Sequence, residues 1–117
     1  MKLFNKKTGA LGEDLATEAL RKKGYEILKR NFSNKFGEID IIARNNGVLV
    51  FAEVKTKKGE EFGSPEEMIN PKKLWKIRNM ANLYMGRNDL PCRLDVVAIV
   101  LDQEDNLVRL THYENIY

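Results

Sequence analysis

A chain of 117 residues, 43% hydrophobic and 32% charged, has the make-up of one globular domain over residues 1–117 and is neither a disordered nor a membrane composition. Its longest apolar run, Val96 to Leu101, is far too short to cross a bilayer, and the basic start MKLFNKKTG has no apolar stretch behind it to read as a secretion signal. The net charge of +3 leans weakly toward anionic partners, while Cys92, the one cysteine, excludes an internal disulfide and fits a reducing cytoplasm.

In chain order, TGALGEDLATEALRKKG sets Leu11, Leu15, Ala16, Ala19 and Leu20 at helical spacing, so a helix is expected over about residues 8–23, with Gly24 as its C-cap. YEILKRNF is rich in strand-favouring residues and leads through a short turn to Gly37, which predicts a strand paired with the segment that follows. That segment, GEIDIIARNNGVLVFAEVKTK from Gly37 to Lys57, reads as a hairpin: Asn46-Gly47 suits a type I′ turn, whose two central residues both need positive φ. Counting back from the turn sets Asp40 opposite Glu53 and Glu38 opposite Lys55. All four then project from the face that also carries Ile42, Leu49 and Phe51, whereas Ile39, Ile41, Val50, Ala52 and Val54 fill the other. The charges therefore lie at the edge of a buried region.

After the polar loop KKGEEFG, the residues Ser64, Pro65 and Glu67 form a capping box around a short helical turn. Asn70-Pro71 repeats the start signal and opens a helix from about Pro71 to Met85, closed by Gly86, with Leu74, Ile77, Ala81 and Tyr84 inward. RLDVVAIVL is a strand to be buried on both faces, and LVRLTHY returns to it through DQEDN. The order αβββαββ, with a connection from Lys55 to Arg93 long enough for a right-handed parallel crossover, predicts an α/β fold: a mixed sheet flanked by helices on both faces.

Two carboxylates set opposite each other destabilise a hairpin, so a positive charge is expected between Asp40 and Glu53. Their oxygens suit a hard cation such as Mg²⁺, which takes one or two protein carboxylates, and Lys55 stands beside them. Such an ion makes a nucleophile of water at neutral pH and neutralises phosphodiester charge, which is hydrolytic nuclease chemistry. The plainer alternative is a charged hairpin end in which Lys55 bridges Glu38 and solvent screens the rest. Glu13, at the margin of the first helix's apolar arc, can reach the same place or serve only as an exposed carboxylate favoured by the helix dipole. Lys72 and Lys73 occupy a helical first turn, where cations are disfavoured unless an anion is present. With Lys76, Lys57 and Lys58 they form either a track for backbone phosphates or a solvated basic face. Trp75 is read as packing rather than base stacking, Tyr84 as core, and His112 as structural.

These residues resemble the PD-(D/E)xK, restriction-endonuclease-like nucleases, in the branch similar to Holliday junction resolvases. Gly12-Glu13, GEIDII at Gly37 to Ile42, FAEVKTK at Phe51 to Lys57 and FGSPEEMINPKK at Phe62 to Lys73 are similar, more narrowly, to the YraN family of small bacterial proteins. The resemblance runs from Gly9 to about Leu101 and implies an αβββαβ core, to which LVRLTHY adds an extra C-terminal strand. It further implies Glu13, Asp40 and Glu53 as metal-binding acids and Lys55 as the catalytic lysine; Ile39 stands where the superfamily name has proline. The expected activity is Mg²⁺- or Mn²⁺-dependent endonuclease cleavage of DNA, including branched or flapped DNA, by a protein with no membrane partner and a weak or DNA-induced homodimer. Two other readings stay open: a nucleic-acid-binding module with little turnover, and an interaction domain of a repair or processing complex.

Overall fold

These periodicities become helix α1 (Lys6–Lys22), strands β1 (Glu26–Asn34), β2 (Gly37–Asn45) and β3 (Val48–Lys58), a short 3₁₀ turn (Pro65–Met68), helix α2 (Pro71–Met85), and strands β4 (Cys92–Leu101) and β5 (Leu107–Tyr113). The computed structural model describes residues 6–61, 63–86 and 91–116. One sheet takes the strands in the order β1-β2-β3-β4-β5. Every neighbour is antiparallel except β3 and β4, which run parallel because α2 carries the chain back between them. The fold is thus the mixed α/β sheet expected, an αβββαβ core with β5 added at its edge.

Local signals account for the boundaries. Asn46 and Gly47 have φ of 52° and 78°, the pair of positive values that a two-residue β2–β3 turn requires. Asn70 caps α2, its Oδ1 accepting from the Lys73 amide at 2.9 Å, with Pro71 in the first turn. Before it, Glu67 Oε2 accepts from the Ser64 amide at 3.1 Å.

Each face of the sheet buries its own cluster under one helix. Ala16 and Leu20 of α1 pack with Ile41, Val50, Ala52, Val97 and Ile99. Ile77, Met80 and Ala81 of α2 pack with Ile42, Leu49, Phe51 and Leu94, and half-buried Tyr84 sets its ring edge-on to Phe32 and Phe51. Ile39 departs from the expected alternation. It joins Phe32 in the α2-side cluster rather than Ile41 on the α1 side, at a point where β2 pairs with β1 but no longer with β3. The local direction of the strand is then set by one neighbour only.

In the doubly buried β4, Asp95 is 1% exposed, and its carboxylate accepts from Arg93 Nε at 3.1 Å and the Asn115 amide at 3.0 Å and meets His112 Nε2 at 2.7 Å. Burial pushes this carboxyl up, but those hydrogen bonds outweigh burial and hold it below the usual range. His112 ties β5 to β4, the structural role expected.

The helix α1 can approach β3 closely only because residue 12 is glycine. A Cβ there would overlap Thr56 Oγ1 and lie 2.8 Å from Thr56 Cβ, on a buried β-branched side chain with few rotamers to spare. Gly12→Ala is expected to destabilise the fold by ~1–2 kcal/mol, because the overlap outweighs the ~1 kcal/mol helical advantage of Ala over Gly. A lowered urea midpoint with an unchanged slope is the expected observation; an unchanged or raised midpoint would show that the approach is not constrained there.

Candidate functional site

The β2–β3 ladder follows the expected register from Asn45↔Val48 to Ile41↔Ala52 and ends there, one residue short of the acids. In an antiparallel ladder every second pair exchanges both backbone bonds, and counting from the turn makes the next such pair Ile39 and Val54. Instead, the Val54 amide donates to the carboxylate of Asp40 at 2.8 Å. A side chain has replaced the backbone acceptor, and the two strands part. Asp40 and Glu53 are therefore not the ladder pair predicted, although they stay in contact. Glu38 is not opposite Lys55 either, and among the described residues the two form no ion pair.

The acids gather where the strands diverge. Carboxylate oxygens of Glu13, Glu38 and Asp40 lie within 4.8 Å of one another, drawn from α1 and from β2. On β3, Glu53 is 6% exposed and touches Asp40 from the other side. Burial first, then the hydrogen bond and charge of Glu53, push the Asp40 carboxyl up to about 8 against the pull of the Val54 amide and Lys55. Burial likewise raises Glu13, helped by Asp40 and Glu38 and opposed by Arg30, whose guanidinium lies 3.7 Å away. So many carboxylates in one half-buried place are an electrostatic cost that a divalent cation would relieve. Hard oxygen donors at this separation fit Mg²⁺ or Mn²⁺.

Cations form the opposite wall. Lys73, from the first turn of α2, reaches Glu53 Oε2 at 3.2 Å. Burial lowers the pKa of Lys55, and adjacent Lys73 lowers it further while Glu53 and Asp40 oppose. Glu13, Glu38, Asp40, Glu53 and Lys55 line one cleft of about 600 Å³ together with Lys72, Lys73 and Lys76. Lys57 and Lys58 do not line it: Lys57 donates to the Gly63 carbonyl at 3.4 Å, and Lys58 pairs with Asp105 at 2.8 Å.

Sequence reasoning therefore brought Glu13, Asp40, Glu53, Lys55 and three of the five lysines to one place. It missed Glu38 as a ligand candidate, having matched it with Lys55. Asn31 was also missed; it has φ of 53° inside β1, a conformation Asn tolerates better than most residues, and its side chain lies beside Glu13, whose charged form it favours. Neither carries a signal in sequence apart from the twist that parts the strands. The expectation that Trp75 packs inward is not met, since the residue is 58% exposed.

The profile of the uncharacterised protein family UPF0102 matches residues 12–99, a span that holds Glu13, Asp40, Glu53 and Lys55. A UPF0102 protein of Persephonella marina is 46% identical, over 84% of this chain and 87% of its own, and one of Alkaliphilus oremlandii is 42% identical over 97% and 100%. One of Syntrophomonas wolfei is 39% identical over 97% of this chain and all of its own. Among solved structures, an fdxN element excision controlling factor protein from Anabaena variabilis aligns with a TM-score of 0.48 and 15% identity, over 86% of this chain and 98% of that one. With most of its length matched by the family profile and by relatives at this level of identity, the chain belongs to the uncharacterised protein family UPF0102, the YraN family.

Proposed function

We propose that this protein is a Mg²⁺- or Mn²⁺-dependent nuclease that hydrolyses phosphodiester bonds in DNA. The observation that carries this reading is the convergence of Glu13, Glu38 and Asp40 oxygens within 4.8 Å, beside Glu53 and Lys55, in a cleft whose far wall is lysine. Family membership and the αβββαβ order support the coarser reading of a nuclease-like protein.

Asp40 and Glu53, with Glu13 and Glu38, would hold the cation. When bound, the ion supplies an activated water and offsets charge building on the phosphate. The chain's own groups do the rest. Lys55 Nζ, half-buried and near both carboxylates, would hydrogen-bond the attacking water and a phosphate oxygen. Burial and adjacent Lys73 lower the pKa of Lys55, which lets it give up a proton more readily than an ordinary lysine. Lys72, Lys73 and Lys76 hold the flanking phosphates at the start of α2, where the helix dipole also favours an anion. Lys57 and Lys58 are engaged elsewhere, which narrows the phosphate track to α2.

The Lys73–Glu53 ion pair favours a second reading, because an internal cation already balances one acid, as a binding module without turnover would require. Incubating the protein with duplex, single-stranded, flapped and four-way DNA, and with RNA, in Mg²⁺ or Mn²⁺ separates the two. Cleavage that EDTA stops is the expected result; retention without cleavage on every substrate would leave the binding module. Symmetric cutting of a four-way junction needs two sites related by a two-fold axis, so a resolvase would form at least a weak or DNA-induced dimer. Light scattering that finds only monomers, with and without a junction, would count against a resolvase.

A further inference from the structure

Beside the carboxylate cleft lies a second groove, of about 560 Å³, formed by Phe36 from the β1–β2 turn and by Trp75, Lys76, Asn79, Asn82 and Leu83 on the outer face of α2. Phe36 and Lys76 line both, so the two depressions adjoin each other. Three large apolar side chains are left in water here: Trp75 at 58%, Leu83 at 57% and Phe36 at 55% exposed. That is an unusual concentration on a chain this small. Trp75, Asn79, Asn82 and Leu83 recur at helical spacing and form one stripe. Cations frame it, with Lys76 at the junction and Lys35 Nζ 5.2 Å from the centre of the Phe36 ring. Two asparagine amides add donors and acceptors inside.

Resting on the nucleic-acid reading above, we propose that this groove is a stacking platform for an unpaired base of the strand whose phosphates lie along Lys72, Lys73 and Lys76. The substrate class is therefore single-stranded or locally opened DNA rather than continuous duplex. In a duplex every base is already stacked, and Trp75 would meet only sugar and phosphate. An unpaired base next to the scissile phosphate finds an indole and a phenyl ring within the same depression, with Asn79 and Asn82 at its hydrogen-bonding edge. Stacking of this kind is tolerant of base identity because every base has a π-face. A protein partner or a second copy fits less well. A stable interface buries upward of about 1,000 Å² around a continuous apolar centre, whereas this patch is a few side chains ringed by lysines and amides.

Trp75 is the only tryptophan in the chain, so its fluorescence reports on the groove alone. The test is to titrate the whole protein, in Ca²⁺, with an oligothymidylate and with an abasic phosphodiester strand of equal length and charge. The thymidylate should quench Trp75 and the abasic strand should bind without quenching. Trp75→Ala should weaken thymidylate binding by about tenfold, leave abasic binding unchanged, and leave Mn²⁺ binding unchanged. If both strands bind and neither quenches, or if Trp75→Ala weakens both equally, the platform is wrong while the nuclease reading stands. If neither strand binds, both fail. Loss of a dimer in Trp75→Ala with thymidylate affinity intact would assign the groove to self-association and overturn the proposal.

Discussion

Replacing Asp40 by Asn is expected to raise the stability of the folded chain and to abolish metal-dependent cleavage in the same protein. The two effects have one cause. In the unfolded chain Asp40 loses its proton as pH rises past its ordinary 3.8, while in the fold it keeps the proton until about 8, because of burial first and Glu53 second. Stability is therefore greatest below pH 3.8 as far as this group is concerned, and falls between there and about 8, by at most ~1.4 kcal/mol per pH unit. Relaxation and water at the cleft mouth reduce this to ~1–3 kcal/mol at neutral pH. Asn has no proton to lose, and its Oδ1 can still accept from the Val54 amide, so the penalty disappears while the fold is kept. Urea unfolding at pH 5 and pH 8 should show wild type losing stability over that interval and Asp40→Asn losing less. Cleavage should drop by ~10²-fold or more, since a proposed ligand of the ion would be gone. A variant that is less stable than wild type at pH 8 and still cuts would contradict both halves.

Lys55→Ala is expected to lower turnover by ~10²–10⁴-fold, the range for a positioned proton-transfer group, while leaving metal binding and most nucleic-acid affinity in place. Lys72, Lys73 and Lys76 remain to hold phosphate. The fold should not suffer, because Lys55 is half-buried beside Lys73, an arrangement that disfavours its ammonium. Were Lys55 instead a structural tie for the carboxylates, the same change would lower the melting temperature and leave any cleavage as it was. Thermal denaturation and single-turnover kinetics on one preparation of the variant distinguish the two outcomes, because they move in opposite directions.

Much of this molecule was legible because local signals agreed with one another. Asn46-Gly47 set a turn and therefore a register, Asn70-Pro71 and Gly86 bounded α2, and the continuous apolar run of β4 announced a central strand. The register in turn found the acids. It failed only where the ladder itself ends, and that end is a side-chain event: Asp40 takes the amide that Ile39 would have taken. Beyond that point alternation no longer predicts facing, which is why Ile39 lies under α2 and why Glu38 gathers with Glu13 instead of Lys55. The lysines divided for a similar reason. Lys57 and Lys58 follow the motif in sequence, but the end of β3 carries them past the cleft to Gly63 and Asp105, whereas α2 brings Lys72, Lys73 and Lys76 back to it. Trp75 was misread because an aromatic residue on an amphipathic helix usually packs inward, and this one lies on the outer stripe beside Asn79.

Calorimetric titration of Mn²⁺ into wild type and Asp40→Asn tests, without reference to any substrate, whether the gathered carboxylates hold a divalent cation. Saturable binding by the wild type, weakened at least tenfold in Asp40→Asn, is the predicted result. Equal and negligible heats for the two proteins would show that Glu13, Glu38, Asp40 and Glu53 are only a charged strand end balanced by Lys55 and Lys73.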